Sequence, residues 1–425
     1  MEQQAIWALG IFLLTYALII SEKIHRTLLA MAGAVLMIML GILDQESAIH
    51  HIDFNTLGLL IGMMMIVNIT AETGLFTYIG IRTAKLAKGN PITILWLLAL
   101  ITAIGSAFLD NVTTIILMVP VAFSIIRRLR VHSFPYLFAM IMATNIGGTA
   151  TLIGDPPNIM IGSAVKELTF VAFLENLAPV ALLILAVILP LVIVIFRKSL
   201  RGAFANRQSI MEIRVEGIIS DKKLLMKCLI ALGITLLGFF LHQYIHLETA
   251  TVALAGAFLL LLMTGERVME RAFHSVEWPT IFFFIGLFVL VGGLVETGLI
   301  TMVAEWVVQL TGGDPLSTSM LILWLSAFAS AFIDNIPLVA TMIPMIQDMG
   351  SLGIGNLEPL WWSLALGACL GGNGTLIGAS ANLIGAGMSA KEGEPISFIR
   401  YLKYGLPLMT VTIIISSIYI YLRYF

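Results

Sequence analysis

The sequence predicts an all-α polytopic membrane protein of two inverted-topology repeats, each with five or seven crossings, a hairpin of two apolar arms and a broken helix. Three observations carry that expectation: an apolar composition, an internal duplication and the placement of the basic residues. Of 425 residues, 59% are hydrophobic and 11% charged, and the mean hydropathy is +1.00. Such a chain lies outside the range of soluble domains. The net charge of −2 gives no footing for nucleic acid. Cys228 and Cys369, the two cysteines, make neither a disulfide framework nor a zinc-type spacing, so no metal or cofactor is expected.

The duplication is written in fixed register. "SAFLDNVTTIILMVP" at Ser106 to Pro120 returns 224 residues later as "SAFIDNIPLVATMIP" at Ser330 to Pro344. "GGTATLIGDPPNIM" from Gly147 returns at the same offset as "GGNGTLIGASANLI" from Gly371. Asp53 then aligns with Glu277, Gly62 with Gly286, and the "ETG" at Glu72 with the "ETG" at Glu296; "ALGI" at Ala8 recurs at Ala231, one residue out of step. A shared register over so many stretches means a repeat of the whole unit.

Within the first copy, apolar runs predict spans at about 5–20, 27–43 and 56–73, long enough at ~1.5 Å per residue to cross a ~30 Å hydrocarbon layer. Glu2 precedes the first run and Lys23 and Arg26 follow it, the pattern of a retained first span rather than a cleaved leader. Two apolar arms around the polar tip "SAFLDN" come next, then an interrupted helix at about 135–165 and a last span at about 171–196. Whether each arm crosses or folds back, the number of crossings per copy is odd, so the second copy enters from the opposite side. The expected organisation is a first repeat over 1–196, a cytoplasmic linker over 197–227 and a second repeat over 228–425.

The basic residues agree with that inversion. With both termini outside a bacterial or archaeal cytoplasmic membrane, 21 of the 23 Lys and Arg residues fall inside, and only Lys166 and Arg423 fall outside.

Backbone that leaves helical geometry inside a bilayer must be buried in protein or line a wet cavity. It is expected to do so four times, at the tips carrying Asp110 and Asp334 and at the glycine-rich breaks near 147–158 and 371–382. Discontinuous helices in matching positions of two halves point to a midplane solute site, where half-helix N-termini face anionic groups and freed carbonyls face cations. The candidate solute- and ion-binding residues are therefore Asp110, Asn111, Thr149, Thr151, Asn158, Asp334, Asn335, Asn373, Thr375 and Asn382. Asp110, Asp334 and Asp155 are candidate proton-coupling carboxylates, because intramembrane acids are costly unless functional. Each tip aspartate also reads as a helix cap, and Asp155 reads either as a coupling group or as the start of a capped helix with proline in its first turn. Gly147, Gly148, Gly371 and Gly372 would let backbone approach the solute, whereas Gly33 in an ordinary span would carry only packing.

At "SAFLDNVTTIILMVP", "NIGGTATLIGDPPN" and "SAFIDNIP" the chain resembles the ArsB/NhaD branch of the ion transporter superfamily, which includes arsenite efflux permeases and P-protein-like permeases. The resemblance covers nearly the whole chain. It implies about ten transmembrane helices plus two re-entrant hairpins and two broken helices, alternating access and arsenite or antimonite efflux in exchange for protons, with the lipid bilayer, a small inorganic solute, and an ATPase subunit or a second copy as partners. A Na+/H+ antiporter, or a sodium-coupled anion or dicarboxylate carrier, is the alternative on the same fold. An intramembrane aspartyl protease is disfavoured, since neither tip aspartate lies in a Gly-x-Gly-Asp setting.

Overall fold

The computed structural model describes residues 2–21, 23–201, 210–213 and 215–425. Of the expected linker, 202–209 and Arg214 lie outside the described residues. Every regular element among the described residues is helical, and nine helices are long and apolar enough to cross a membrane. Three hairpin arms are among those nine, while Arg26–Met39 and Thr249–Thr264 are shorter apolar helices, so the sequence-based count of ten divides the same segments differently.

The duplication reappears in the helix limits. Phe54–Glu72 and Pro91–Phe108 return 224 residues later as Trp278–Glu296 and Pro315–Phe332. The repeated "ETG" is explained by backbone: Gly74 and Gly298 sit at φ 84° and 75°, a left-handed corner between two helices that glycine takes without strain. These corners lead into Leu75–Leu86 and Leu299–Thr311, helices that the sequence reading passed over. The first has 12 residues, too few to span, and its strongly one-sided polarity places it beside the arm Asn111–Leu129.

The halves exchange partners. Arg26–Met39 packs on Trp278–Glu296 of the other half, and its mate Thr249–Thr264 packs on Phe54–Glu72. Glycine makes both contacts close. A Cβ at Gly62 would lie 2.6 Å from the Ala253 carbonyl carbon, and one at Gly286 would lie 2.6 Å from that of Ala30. Helices in lipid associate through such small-residue seams, because no hydrophobic force separates helix from solvent there. The exchange repeats at the hairpins, where Asn111–Leu129 lies against Ser380–Lys391 and Asn335–Ser351 against Pro156–Ala164. Phe134–Thr149 meets its own mate Glu358–Gly371.

Candidate functional site

Each hairpin turns on two extended residues, Leu109–Asp110 and Ile333–Asp334, before its second arm begins. Both aspartates cap that arm: Asp110 Oδ1 accepts from the Thr113 amide at 2.8 Å and Asp334 Oδ1 from the Ile336 amide at 3.3 Å. The broken helices sit against the first arms of the hairpins. Gly147 and Gly371 lie where a Cβ would collide with the carbonyls of Ala103 and Ala327, so glycine at these positions admits the hairpin. Gly148 and Gly372 pack against Gly154 and Gly378 respectively, and a Cβ on Gly148 would also meet Asn111 Oδ1.

Helix stops at Thr149 and resumes at Pro156 in the first half; in the second it stops at Gly371, passes through a 3-10 turn at Gly372–Gly374 and resumes at Ser380. Side chains satisfy the freed backbone. Thr151 Oγ1 donates to the Ala107 carbonyl, and Thr375 Oγ1 donates to that of Ala331 at 2.5 Å. Asn158 Nδ2 donates to the carbonyls of Thr149 and Thr151 at 3.1 and 2.9 Å, while Asn382 Nδ2 donates to those of Gly372 and Thr375 at 2.7 and 2.9 Å. Thr149 Oγ1 is bonded within its own helix to the Asn145 carbonyl at 2.7 Å.

A residue passed over by sequence reasoning ties the two breaks together. Asn145 Nδ2 donates to Asn373 Oδ1 at 2.9 Å and to Asn382 Oδ1 at 3.1 Å, and its Oδ1 accepts from Asn111 Nδ2 at 3.3 Å. Its mate at 224 residues is Cys369, whose thiol donates to Asn158 Oδ1 at 3.5 Å. The register identified in the sequence pairs these two residues directly, and that was the signal available.

Between the tips lies a chamber of about 40 Å³ lined by Asp110, Asn111, Asp155, Asn335, Arg26 and Glu277. The second arms and the resumed helices all begin at this chamber, with Asn111, Pro156, Asn335 and Ser380 as their first residues. Four N-termini therefore bring partial positive charge to one place. Asp155 occupies the position before Pro156 yet makes no capping bond. It is 1% exposed; Oδ1 meets Asn335 Nδ2 at 3.5 Å, and Oδ2 has no partner. The capping alternative for Asp155 therefore has no bond to rest on.

Beside the chamber opens a vestibule of about 310 Å³ lined by Tyr16, His25, Arg26, Asp334 and Ser380. Arg26 joins the two spaces. Its Nη1 donates to Asp334 Oδ2 at 2.6 Å and to Ser380 Oγ at 2.7 Å, and Ser380 Oγ donates to the same Asp334 oxygen at 2.8 Å. Sequence reading treated Arg26 solely as a marker of the cytoplasmic side, because a basic residue after a first span is ordinarily that. Glu277, expected only as the mate of Asp53, accepts from Thr280 Oγ1 at 3.1 Å.

Of the residues expected to bind solute, Asp110, Asn111 and Asn335 converge on the chamber with the candidate coupling residue Asp155, and Asp334 stands at its border. Thr149, Thr151, Asn158, Asn373, Thr375 and Asn382 are buried behind it and bonded to backbone or to one another.

The fold is similar to that of the Alcanivorax borkumensis YdaH transporter, described as having an unusual topology, with a TM-score of 0.60 over 98% of this chain and 97% of that one at 15% identity. An uncharacterised transporter of Mycobacterium tuberculosis is 40% identical over 99% of both chains. The 46 kDa membrane protein of Mycobacterium leprae is 39% identical over 98% of both. The human P protein is 36% identical over 99% of this chain and 60% of its own length. Residues 16–367 match the model of the citrate transporter family, CitMHS, and the chain therefore belongs to that family of membrane transporters.

Proposed function

We propose that the protein is a secondary active carrier that moves a small anion through the central chamber by alternating access, coupled to a proton or to Na+. The observation that carries this reading is the meeting of four half-helix N-termini and Arg26 with the acids Asp110, Asp155 and Glu277 in one space. The N-termini and guanidinium suit an anion, and the carboxylates suit the cation that accompanies it or is exchanged for it. Membership of a family described as citrate transporters supports a carboxylate of that class as the solute. The repeats 1–196 and 228–425 would be inverted about a cytoplasmic linker. Single cysteines in 215–221 should then react only from the cytoplasm, and those near Gly313 only from outside.

Arsenite or antimonite efflux in exchange for protons is the second reading. A chamber of about 40 Å³ favours it, since a trihydroxide has far fewer heavy atoms than citrate. The buried thiol of Cys369, beside Asn158, is the one thiol near the breaks among the described residues.

Proteoliposomes containing a pH dye, offered citrate, arsenite or a Na+ gradient in turn, separate these readings. Citrate flux that follows a cation gradient is expected. Asp110→Asn keeps the cap but cannot ionise, and should lower coupled flux at least tenfold at matched expression. Arsenite flux without citrate flux would select the second reading, and full coupled flux in Asp110→Asn would remove Asp110 from coupling.

A further inference from the structure

The two halves of the chamber differ in charge, and the difference falls on a few matched positions. In the first half the tip aspartate, Asp110, is joined by Asp155, and among the described residues no ion pair to either is seen. In the second half Ala379 stands opposite Asp155, and the tip aspartate, Asp334, is ion-paired to Arg26. Ala30 mates with Ala253 and Gly33 with Gly256 in the register one residue out of step, so the mate of Arg26 is Thr249, a neutral residue bonded to Asn55. The local balance is two negative charges and no cation on one side, against two negative charges, Asp334 and Glu277, and one positive charge, Arg26, on the other. Asp155 lines the chamber, where its Oδ1 meets Asn335 Nδ2 and its Oδ2 is buried without a hydrogen-bond partner.

We propose, on the basis of the carrier reading, that the guanidinium of Arg26 is a tethered cation. It stands in the second half where the first half takes an exchangeable small cation between Asp110 and Asp155. A carboxylate withdrawn from water requires a cation or a proton. The second half meets that requirement at Asp334 with a residue of the chain, so the two tips together call for one coupling cation instead of two. Ser380 fixes the tethered group by bonding both the guanidinium and Asp334. Its mate is Pro156, which has no donor to offer, so nothing equivalent can be anchored in the first half.

Removing Arg26 should leave a vacancy shaped for a planar cation. Purified full-length Arg26→Ala should unfold at a lower temperature than the unaltered chain and regain most of the loss with guanidinium ion at concentrations too low to denature, since a ligand of the folded state raises its stability. The unaltered chain and the double variant Arg26→Ala/Asp334→Asn should gain nothing. This readout needs no transport, so its failure is distinct from failure of the carrier reading.

In proteoliposomes, the gradient at which net solute flux reverses gives the coupling ratio, with separate arms for Na+ and for protons. One cation per cycle is expected for the unaltered chain and for Arg26→Lys, and two for Arg26→Ala. A coupling order of two in the unaltered chain would overturn the proposal even if Arg26→Ala does not fold. So would a folded Arg26→Ala that guanidinium does not stabilise.

Discussion

The broken helices and the hairpin tips are equally well aligned in the repeat, yet the hydrogen bonds that close the breaks match in the two halves while the charge around the tips does not. Thr151 and Thr375 bond the matching carbonyls of Ala107 and Ala331, and Asn158 and Asn382 gather matching carbonyls of their own breaks. At the tips, Asp334 meets Arg26, while Asp110 forms no ion pair among the described residues. Backbone groups stranded in a bilayer must be satisfied wherever they occur, which holds the breaks to one solution. Charge has to balance only over the whole chamber, which leaves the tips free to diverge.

Substitutions that treat both halves alike should do the most damage where the symmetry is tightest. Gly147→Val and Gly371→Val drive side chains into the Ala103 and Ala327 carbonyls, backbone that has nowhere to go. Each should cost more than about 4 kcal/mol and abolish recovery of monodisperse protein. Gly10→Val, with nothing within 4 Å of its Cβ, should change thermal stability by no more than about 0.5 kcal/mol. Equal behaviour of Gly10→Val and Gly147→Val would mean that the hairpin contact is not structural. Gly33 does not serve as the neutral control that its ordinary span suggests, because a Cβ there would lie 2.6 Å from Thr15 Oγ1 and 2.9 Å from Leu290 Cδ2.

A smaller effect distinguishes the mates Asn145 and Cys369. Asn145→Ala strips partners from Asn111, Asn373 and Asn382, at about 1–3 kcal/mol for each buried group left unpaired. Cys369→Ala removes one long bond to Asn158 and should cost about 0.5–1.5 kcal/mol. The drop in Tm on heating should therefore be several times larger for Asn145→Ala; comparable drops would show that the network is not centred on Asn145.

The sequence made the repeat, the four breaks and the apolar spans readable, because glycine, proline and acids stand out against lipid-facing runs. Asp110, Asn111, Asn335 and Asp155, singled out from the sequence, all line one chamber. Hydroxyls and amides at the breaks were harder to assign. A polar side chain near unwound backbone can face a solute or replace the lost helical bonds, and composition does not say which; Thr151, Asn158 and their mates do the second. Arg26 was hidden for another reason. Its partner Asp334 is 308 residues away, and no local pattern marks a basic residue that pairs across the two halves.

Alternating access requires that the chamber open to each side in turn, and a single cysteine tests it most directly. Val112 lines the chamber in the first turn of the Asn111–Leu129 arm. In a background with Cys228 and Cys369 replaced by alanine, Val112→Cys should be labelled by a membrane-impermeant thiol reagent from either side of the membrane. Saturating citrate, or arsenite on the second reading, should protect it from both. Labelling confined to one side under every gradient and solute condition would contradict a carrier whose two halves share this chamber.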